Sequence, residues 1–185
     1  LTHGRGMKLH MDRARFANAV AHLGCTPAEA TWKSGVDVLS FGATKAGALA
    51  AEAVVFFDPA LASEFEYRRK RGGHLASKMR FVSAQLEAML KDDLWLQSGK
   101  RANALAARLA DALEKIPGLE IAYPVETNMV FVRMPEKTAA RLRAGGAEFH
   151  DWFAPKDGEV VSRIALSFAT PEEDVARFIE LAKAK

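Results

Sequence analysis

Cysteine is nearly missing from these 185 residues: Cys25 stands alone. That excludes an internal disulfide framework and fits a reducing compartment. Long apolar runs are missing as well. No stretch approaches the roughly 20 residues of a membrane-spanning helix, and no secretory leader precedes the first strand-like run, so a cytoplasmic protein without a membrane partner is expected. Charge of one sign is scarce: 26 Lys and Arg against 23 Asp and Glu leave +3, too little to argue for nucleic acid. His3, His10, His22, His74 and His150 lie scattered without metal-ligand spacing. A Gly-x-Ser-x-Gly nucleophile elbow is absent. The run Gly42-Ala43-Thr44-Lys45-Ala46-Gly47 has the two-glycine spacing of a P-loop, but no Lys-Ser/Thr follows the second glycine.

What is present is an ordinary globular mixture, 49% apolar and 26% charged. It suffices for one domain, or one domain with a small appendage. The chain opens Leu1-Thr2-His3-Gly4-Arg5-Gly6, with no initiator Met, and passes directly into a strand-like run. It reads as a chain entered midway, and a fragment of something longer is expected.

Period-two alternation over Met7-Lys8-Leu9-His10-Met11 predicts a short strand that ends at Asp12. Phe16, Ala19, Val20 and Leu23 then recur at helical spacing over 14–23, with Gly24 as the stop. Thr26-Pro27-Ala28-Glu29 predicts a capping box opening a helix over 27–33. Val36–Phe41 reads as a second strand. Ala51–Phe57 reads as a third, and its continuous apolar run predicts burial on both faces. Helices are predicted over 59–70, 75–90 and 93–115, the last closed by Pro117-Gly118. Beyond it, strands at 119–123, 129–134, near 147–153 and 160–168 combine with a helix over 136–144. A final helix opens at Pro171, with a second capping box in Thr170-Pro171-Glu172-Glu173. The result is an α/β part followed by a compact α+β unit, with the boundary inside the long helix near 95–116.

Two chemistry-bearing residues fall at strand ends. Asp12 closes one strand, and Lys45 lies just past another, in the small-residue loop that follows Leu39-Ser40-Phe41. In an open α/β sheet those ends share one rim, where ligands bind. Small neighbours let a flat ligand approach and leave the ammonium poorly solvated, which favours nucleophilic use. A carboxylate and an amine on one rim suit pyridoxal phosphate, which needs a lysine for covalent attachment and an acid beside its ring nitrogen. The plainer alternatives are a solvated loop lysine and an Asp12 that caps the helix after it. Arg15, one turn into that helix, can face the same rim. Arg163 sits in the otherwise apolar strand Val160-Val161-Ser162-Arg163-Ile164-Ala165-Leu166. There a guanidinium is costly unless it meets a carboxylate or phosphate. It either pairs with an acid of the chain or, in a site for amino acids, holds the substrate carboxylate.

Three segments carry a resemblance: Leu9-His10-Met11-Asp12-x-Ala14-Arg15-Phe16-Ala17-Asn18-Ala19, Leu39-Ser40-Phe41-Gly42-Ala43-Thr44-Lys45, and Arg68-Arg69-Lys70-Arg71-Gly72-Gly73-His74-Leu75. In order and spacing they resemble the low-specificity L-threonine aldolases, in the β-eliminating-lyase branch of the fold type I pyridoxal-phosphate enzymes. The likeness extends through Arg163 and Ser167-Phe168-Ala169-Thr170 to the final helix. It implies the C-terminal portion of that α/β fold. Residues 1–95 would be part of a large domain with a mixed, mostly parallel sheet, 96–116 a connecting helix, and 117–185 a small α+β domain. It implies Lys45 as the Schiff-base lysine and Asp12 as the partner of the pyridine nitrogen. Arg15 would lie near the ring, Arg163 on the substrate carboxylate, and Arg69 on cofactor phosphate across a subunit interface. The basic run around Arg69 also fits a solvated helix end.

The implied activity is cleavage of L-threonine or L-allo-threonine to glycine and acetaldehyde by a homotetramer or homodimer. β-Elimination or transamination on another amino acid would use the same groups. A fragment that needs a complementing N-terminal half is a third reading, since the resemblance implies a further N-terminal portion carrying a Gly-rich phosphate cup. Where family members usually have Gly after the aspartate and Asn after the lysine, this chain has Arg13 and Ala46.

Overall fold

A computed structural model describes residues 1–184. They divide into two compact units, Leu1–Ser98 and Gly99–Lys185.

The first unit is built on three strands, β1 (His10–Arg13), β2 (Val38–Gly42) and β3 (Glu52–Phe56), in the order β1-β2-β3. β1 and β2 are parallel, with Asp12 opposite Ser40, and β2 and β3 are antiparallel, with Gly42 opposite Glu52. One sheet face carries Leu39 and Phe41 into an apolar cluster with Phe16, Ala17 and Val20 of helix α1 (Phe16–Leu23), Met89 and Trp95. The helix forms because those three residues share one stripe, and it stops where Gly24 takes φ 64° and donates its N–H to Val20. Phe16 stacks on Trp95 at 5.8 Å, and Phe41 meets Trp95 edge-on at 5.6 Å. Each such pair is worth about 0.5–1.5 kcal/mol beyond its buried area. Helices α2 (Phe65–Arg71) and α3 (Arg80–Leu90) follow. α4 (Leu94–Leu113) begins in this unit and ends in the next.

The second unit is an antiparallel sheet in the order β4-β5-β7-β6. Its strands are β4 (Glu120–Ile121), β5 (Met129–Pro135), β6 (His150–Asp151) and β7 (Glu159–Ala165). Val130, Val132 and Met134 lie opposite Ile164, Ser162 and Val160, and all six are buried. Strict alternation puts Phe131 and Arg163 on the other face. α4, α5 (Glu136–Ala144) and α6 (Glu172–Lys183) complete the core with Leu109, Leu113, Leu142, Val175 and Ile179.

Four expectations about elements are corrected. Strand β3 is not buried on both faces: Val54 and Val55 remain 41% and 37% exposed, because the strand lies at the edge of a three-stranded sheet. The capping box at Thr26 forms, with Glu29 N–H donating to Thr26 Oγ1 at 3.2 Å and Thr26 N–H to Glu29 Oε2 at 2.8 Å. It opens only turns and a short 3-10 segment, Trp32–Ser34, which Gly35 ends at φ 91°. Thr170 does not cap the last helix. Its Oγ1 accepts from Ser167 N–H at 2.9 Å, closing a turn, and Pro171 holds the cap position. Residues 75–79 are not helical, because Lys78 takes φ 60° and α3 starts only at Arg80.

Candidate functional site

The chemistry of the first unit gathers where β1 and β2 end. Parallel pairing makes both strands exit on one side. β1 leaves through Asp12, Arg13 and Ala14 to Arg15, while β2 leaves through Gly42 and Ala43 to the single turn Thr44–Ala46 that bears Lys45. The exits run close together. A Cβ on Gly42 would stand 3.1 Å from the Ala14 Cα and 2.6 Å from Glu52 Oε2, so any larger residue there presses on both neighbours. The Lys45 turn is anchored at both ends. Ala43 N–H donates to the Ala51 carbonyl at 3.0 Å, and Ala51 N–H donates to Thr44 Oγ1 at 3.1 Å. Gln85 Oε1 of α3 accepts from Ala50 N–H at 3.1 Å.

Asp12 is exposed and stands on the sheet face away from the aromatic core. It does not cap α1, whose cap position is Arg15, so that alternative falls. Lys45 is exposed as well. The expected desolvation of its ammonium is therefore corrected: alanines and glycines are too small to cover a four-carbon side chain that leaves the turn outward. Neither side chain forms an ion pair among the described residues.

His10 reads in the sequence as one of several scattered histidines. It shares Asp12's face, two residues away, and its Nε2 lies 2.9 Å from Ser40 Oγ, the residue opposite Asp12. The alternation of Leu9-His10-Met11-Asp12 carries that signal. The same unit holds Asp37, whose carboxylate accepts from Leu9 N–H at 2.8 Å and contacts His3 at 2.8 Å. The Leu9 bond first, then His3, lower its pKa to about 2. It ties the segment before β1 to the start of β2.

The basic run divides. Arg68 pairs with Glu64 one turn earlier at 3.0 Å, both exposed, as a solvated helix end should. Arg69 is half-buried, and its Nε is enclosed without a hydrogen-bond partner among the described residues.

In the second unit Arg163 stands on the outward face of β7, opposite Phe131 and His150. The ion pair with an acid of the chain, one of its two expected fates, is not found among the described residues. Its Nε is buried with no hydrogen-bond partner among the described residues, and its guanidinium lies over the Trp152 ring, 5.4 Å from the centroid. The sequence gives no local sign of Trp152 beside Arg163, because the pairing depends on how β6 and the residues after it register on β7. A cleft of about 580 Å³ beside the sheet edge is lined by Arg143, Glu148, Phe149, His150 and Arg163, among others. Arg143 there is already engaged, to Asp151 at 2.6 Å.

A parallel strand pair in a mixed sheet and a compact α+β unit are the fold elements in hand. The chain belongs to the beta-eliminating lyase family, whose model matches residues 1–137. It is 46% identical over 178 residues to a low specificity L-threonine aldolase of Pseudomonas aeruginosa, covering 96% of this chain and 49% of that protein. It is 48% identical over 177 residues to the enzyme of the same name from a Pseudomonas species, with the same coverages. Among solved structures it superposes on Leishmania major threonine aldolase with a TM-score of 0.90, at 30% identity, over 98% of this chain and 52% of that one. Catharanthus roseus tryptophan decarboxylase shares the fold alone, at 17% identity and a TM-score of 0.68, over 98% and 43%. The chain spans about half the length of the curated relatives it matches. Family and fold are those of fold type I pyridoxal-phosphate enzymes, and the chain matches a part of that fold.

Proposed function

We propose that this chain carries the lysine, the ring-nitrogen acid and the carboxylate-binding arginine of a pyridoxal-phosphate lyase cleaving L-threonine or L-allo-threonine to glycine and acetaldehyde. The observation that carries the proposal is the parallel β1–β2 register, which brings Asp12 and the Lys45 turn out on one rim. The residues there fit the cofactor. An exposed amine with no ion pair among the described residues is available for covalent attachment, and an exposed carboxylate on the adjacent strand end can face a ring nitrogen.

When bound, pyridoxal phosphate supplies an electron sink for the cleaved Cα–Cβ bond. Lys45 Nζ would hold the cofactor covalently, and the Asp12 carboxylate would hold a proton on its ring nitrogen. Arg15, half-buried at the start of α1, flanks Asp12 and takes the place near the ring. The Arg163 fork holds the substrate carboxylate, so that the bond to be cleaved is oriented before reaction. Arg69, with its enclosed and unpartnered Nε, is the candidate for cofactor phosphate across an interface between copies in a homodimer or homotetramer. The base that takes the β-hydroxyl proton is assigned to no residue of this chain.

Titration of the purified chain with pyridoxal phosphate, followed by a glycine-forming assay on L-threonine, tests the proposal. A visible absorbance band typical of lysine-bound cofactor, abolished by Lys45→Ala, is expected. The titration also separates a chain that holds the cofactor alone from one that needs a complementing N-terminal half, where the band arises only on mixing. A band that survives Lys45→Ala in both arms would refute the assignment. Membership of the beta-eliminating lyase family favours one alternative, β-elimination, in which serine would yield pyruvate and ammonia instead of glycine.

A further inference from the structure

Arg163 is held by an unusual combination. It has no acid partner among the described residues, and its Nε is enclosed without a hydrogen bond. A half-stripped guanidinium in that state is unfavourable by itself. One contact stands against this cost, the Trp152 ring at 5.4 Å. Trp152 is in turn fixed. Its backbone N–H donates to the Val161 carbonyl at 2.7 Å, two residues before Arg163 on the same face. Its ring meets Phe131 edge-on at 5.2 Å, and Phe131 meets Tyr123 edge-on at 5.4 Å. Three rings in a row thus end under one cation.

The Trp152 ring covers one side of the guanidinium, and with Nε enclosed the two terminal nitrogens form the edge that can recognise a ligand. That forked edge is what binds a carboxylate through two parallel hydrogen bonds, a geometry that lysine cannot reproduce. Drying one side of the cation also strengthens its attraction for an anion arriving at the other. Without the ring, the long side chain would sweep over an open sheet face.

We infer that Trp152 is a positioning residue for Arg163, setting the plane of the guanidinium so that its forked edge receives an amino-acid carboxylate. The inference rests on the carboxylate role proposed for Arg163. It requires a flat aromatic surface at position 152, beyond apolar bulk.

The test is an NMR titration of the whole chain with L-threonine, observing the Arg163 Nε–H signal. In the parent protein that signal is displaced by the tryptophan ring current. Trp152→Ala and Trp152→Leu lose the displacement, and Trp152→Phe keeps part of it. L-Threonine binding weakens about two- to fivefold in the Ala and Leu variants, the range of an exposed cation–π contact. It returns to within about twofold of the parent in Trp152→Phe. Arg163→Lys weakens it by about tenfold or more, in line with loss of a bidentate pair. Should the Ala variant fail to fold, the Leu and Phe variants decide, since Leu preserves apolar cover and only Phe preserves the ring. Binding unchanged in Trp152→Leu while Arg163→Lys is impaired would overturn the positioning role and leave the carboxylate role standing. The titration is run on the chain alone and on the chain with pyridoxal phosphate and an N-terminal half from a relative; binding unchanged in Arg163→Lys, or no response of Arg163 to L-threonine in either arm, would overturn the carboxylate role itself.

Discussion

The two units solve opposite problems. The second closes a four-stranded antiparallel sheet against three helices, and its core is the larger cluster although its chain is the shorter. The first spreads a smaller core, centred on Phe16, Phe41 and Trp95, under a sheet of three strands whose outward face carries Asp12 and whose rim carries Lys45. Residues of the first unit are held by strand exits, close backbone approach and turn hydrogen bonds, with little burial. Arg163 of the second is held by a ring on a firmly packed sheet. The difference teaches where tolerance lies: substitutions that merely alter volume should injure the second unit, and those that alter backbone passage should injure the first.

The largest effect should come from emptying a fully buried position. Leu142 is fully buried, and Leu142→Ala should destabilise the second unit by about 3 kcal/mol. Val54→Ala on the exposed edge strand should cost about 0.5 kcal/mol or less. Denaturant unfolding followed by residue-resolved hydrogen exchange checks both, and equal effects would break the contrast. Next is Gly42→Ala. The Glu52 carboxylate can swing aside, but the Ala14 backbone cannot, so a cost of about 1–3 kcal/mol is expected. It should come with weaker cofactor binding, read by equilibrium titration.

Acid should separate the units further. Asp37 has a folded-state pKa of about 2, below its ordinary 3.8. A carboxylate whose pKa is lowered by folding contributes stability above its ordinary pKa and loses it as pH falls toward the folded value. The contribution should therefore be complete above about pH 4 and vanish toward pH 2. It should be felt in the segment before β1 and in β2, and Asp37→Asn should remove it. NMR peak intensities across that window check the expectation. The smallest effect should be Arg108→Ala. Its exposed pair with Glu172 at 2.7 Å should be worth about 0.5 kcal/mol or less and fade with salt, by thermal melts.

Much of this was legible in the sequence where the signal is local. The helix over 136–144 and the strand over 129–134 recur as α5 and β5, because alternation and helical spacing there are regular and each element packs on one face. The rim residues could be proposed because strand ends and small-residue loops can be read along the chain. What escaped was non-local or hinged on single dihedrals. The run Ala53–Phe57 reads as doubly buried because apolar residues alone do not reveal that a strand lies at an edge. Lys78 with φ 60° gives no local warning that a helix must start late. Trp152 under Arg163 depends on the β6–β7 register, and the exposure of Lys45 depends on what covers the rim.

The central claim is that one rim presents Lys45 beside Asp12 to pyridoxal phosphate. Its most direct test is borohydride trapping of the cofactor on the protein, followed by peptide mapping, with the chain alone and mixed with an N-terminal half from a relative. The account predicts a single label on the peptide containing Lys45, weakened by Asp12→Asn and lost in Lys45→Ala. A label spread over other lysines, or one that persists undiminished in Lys45→Ala, would contradict it.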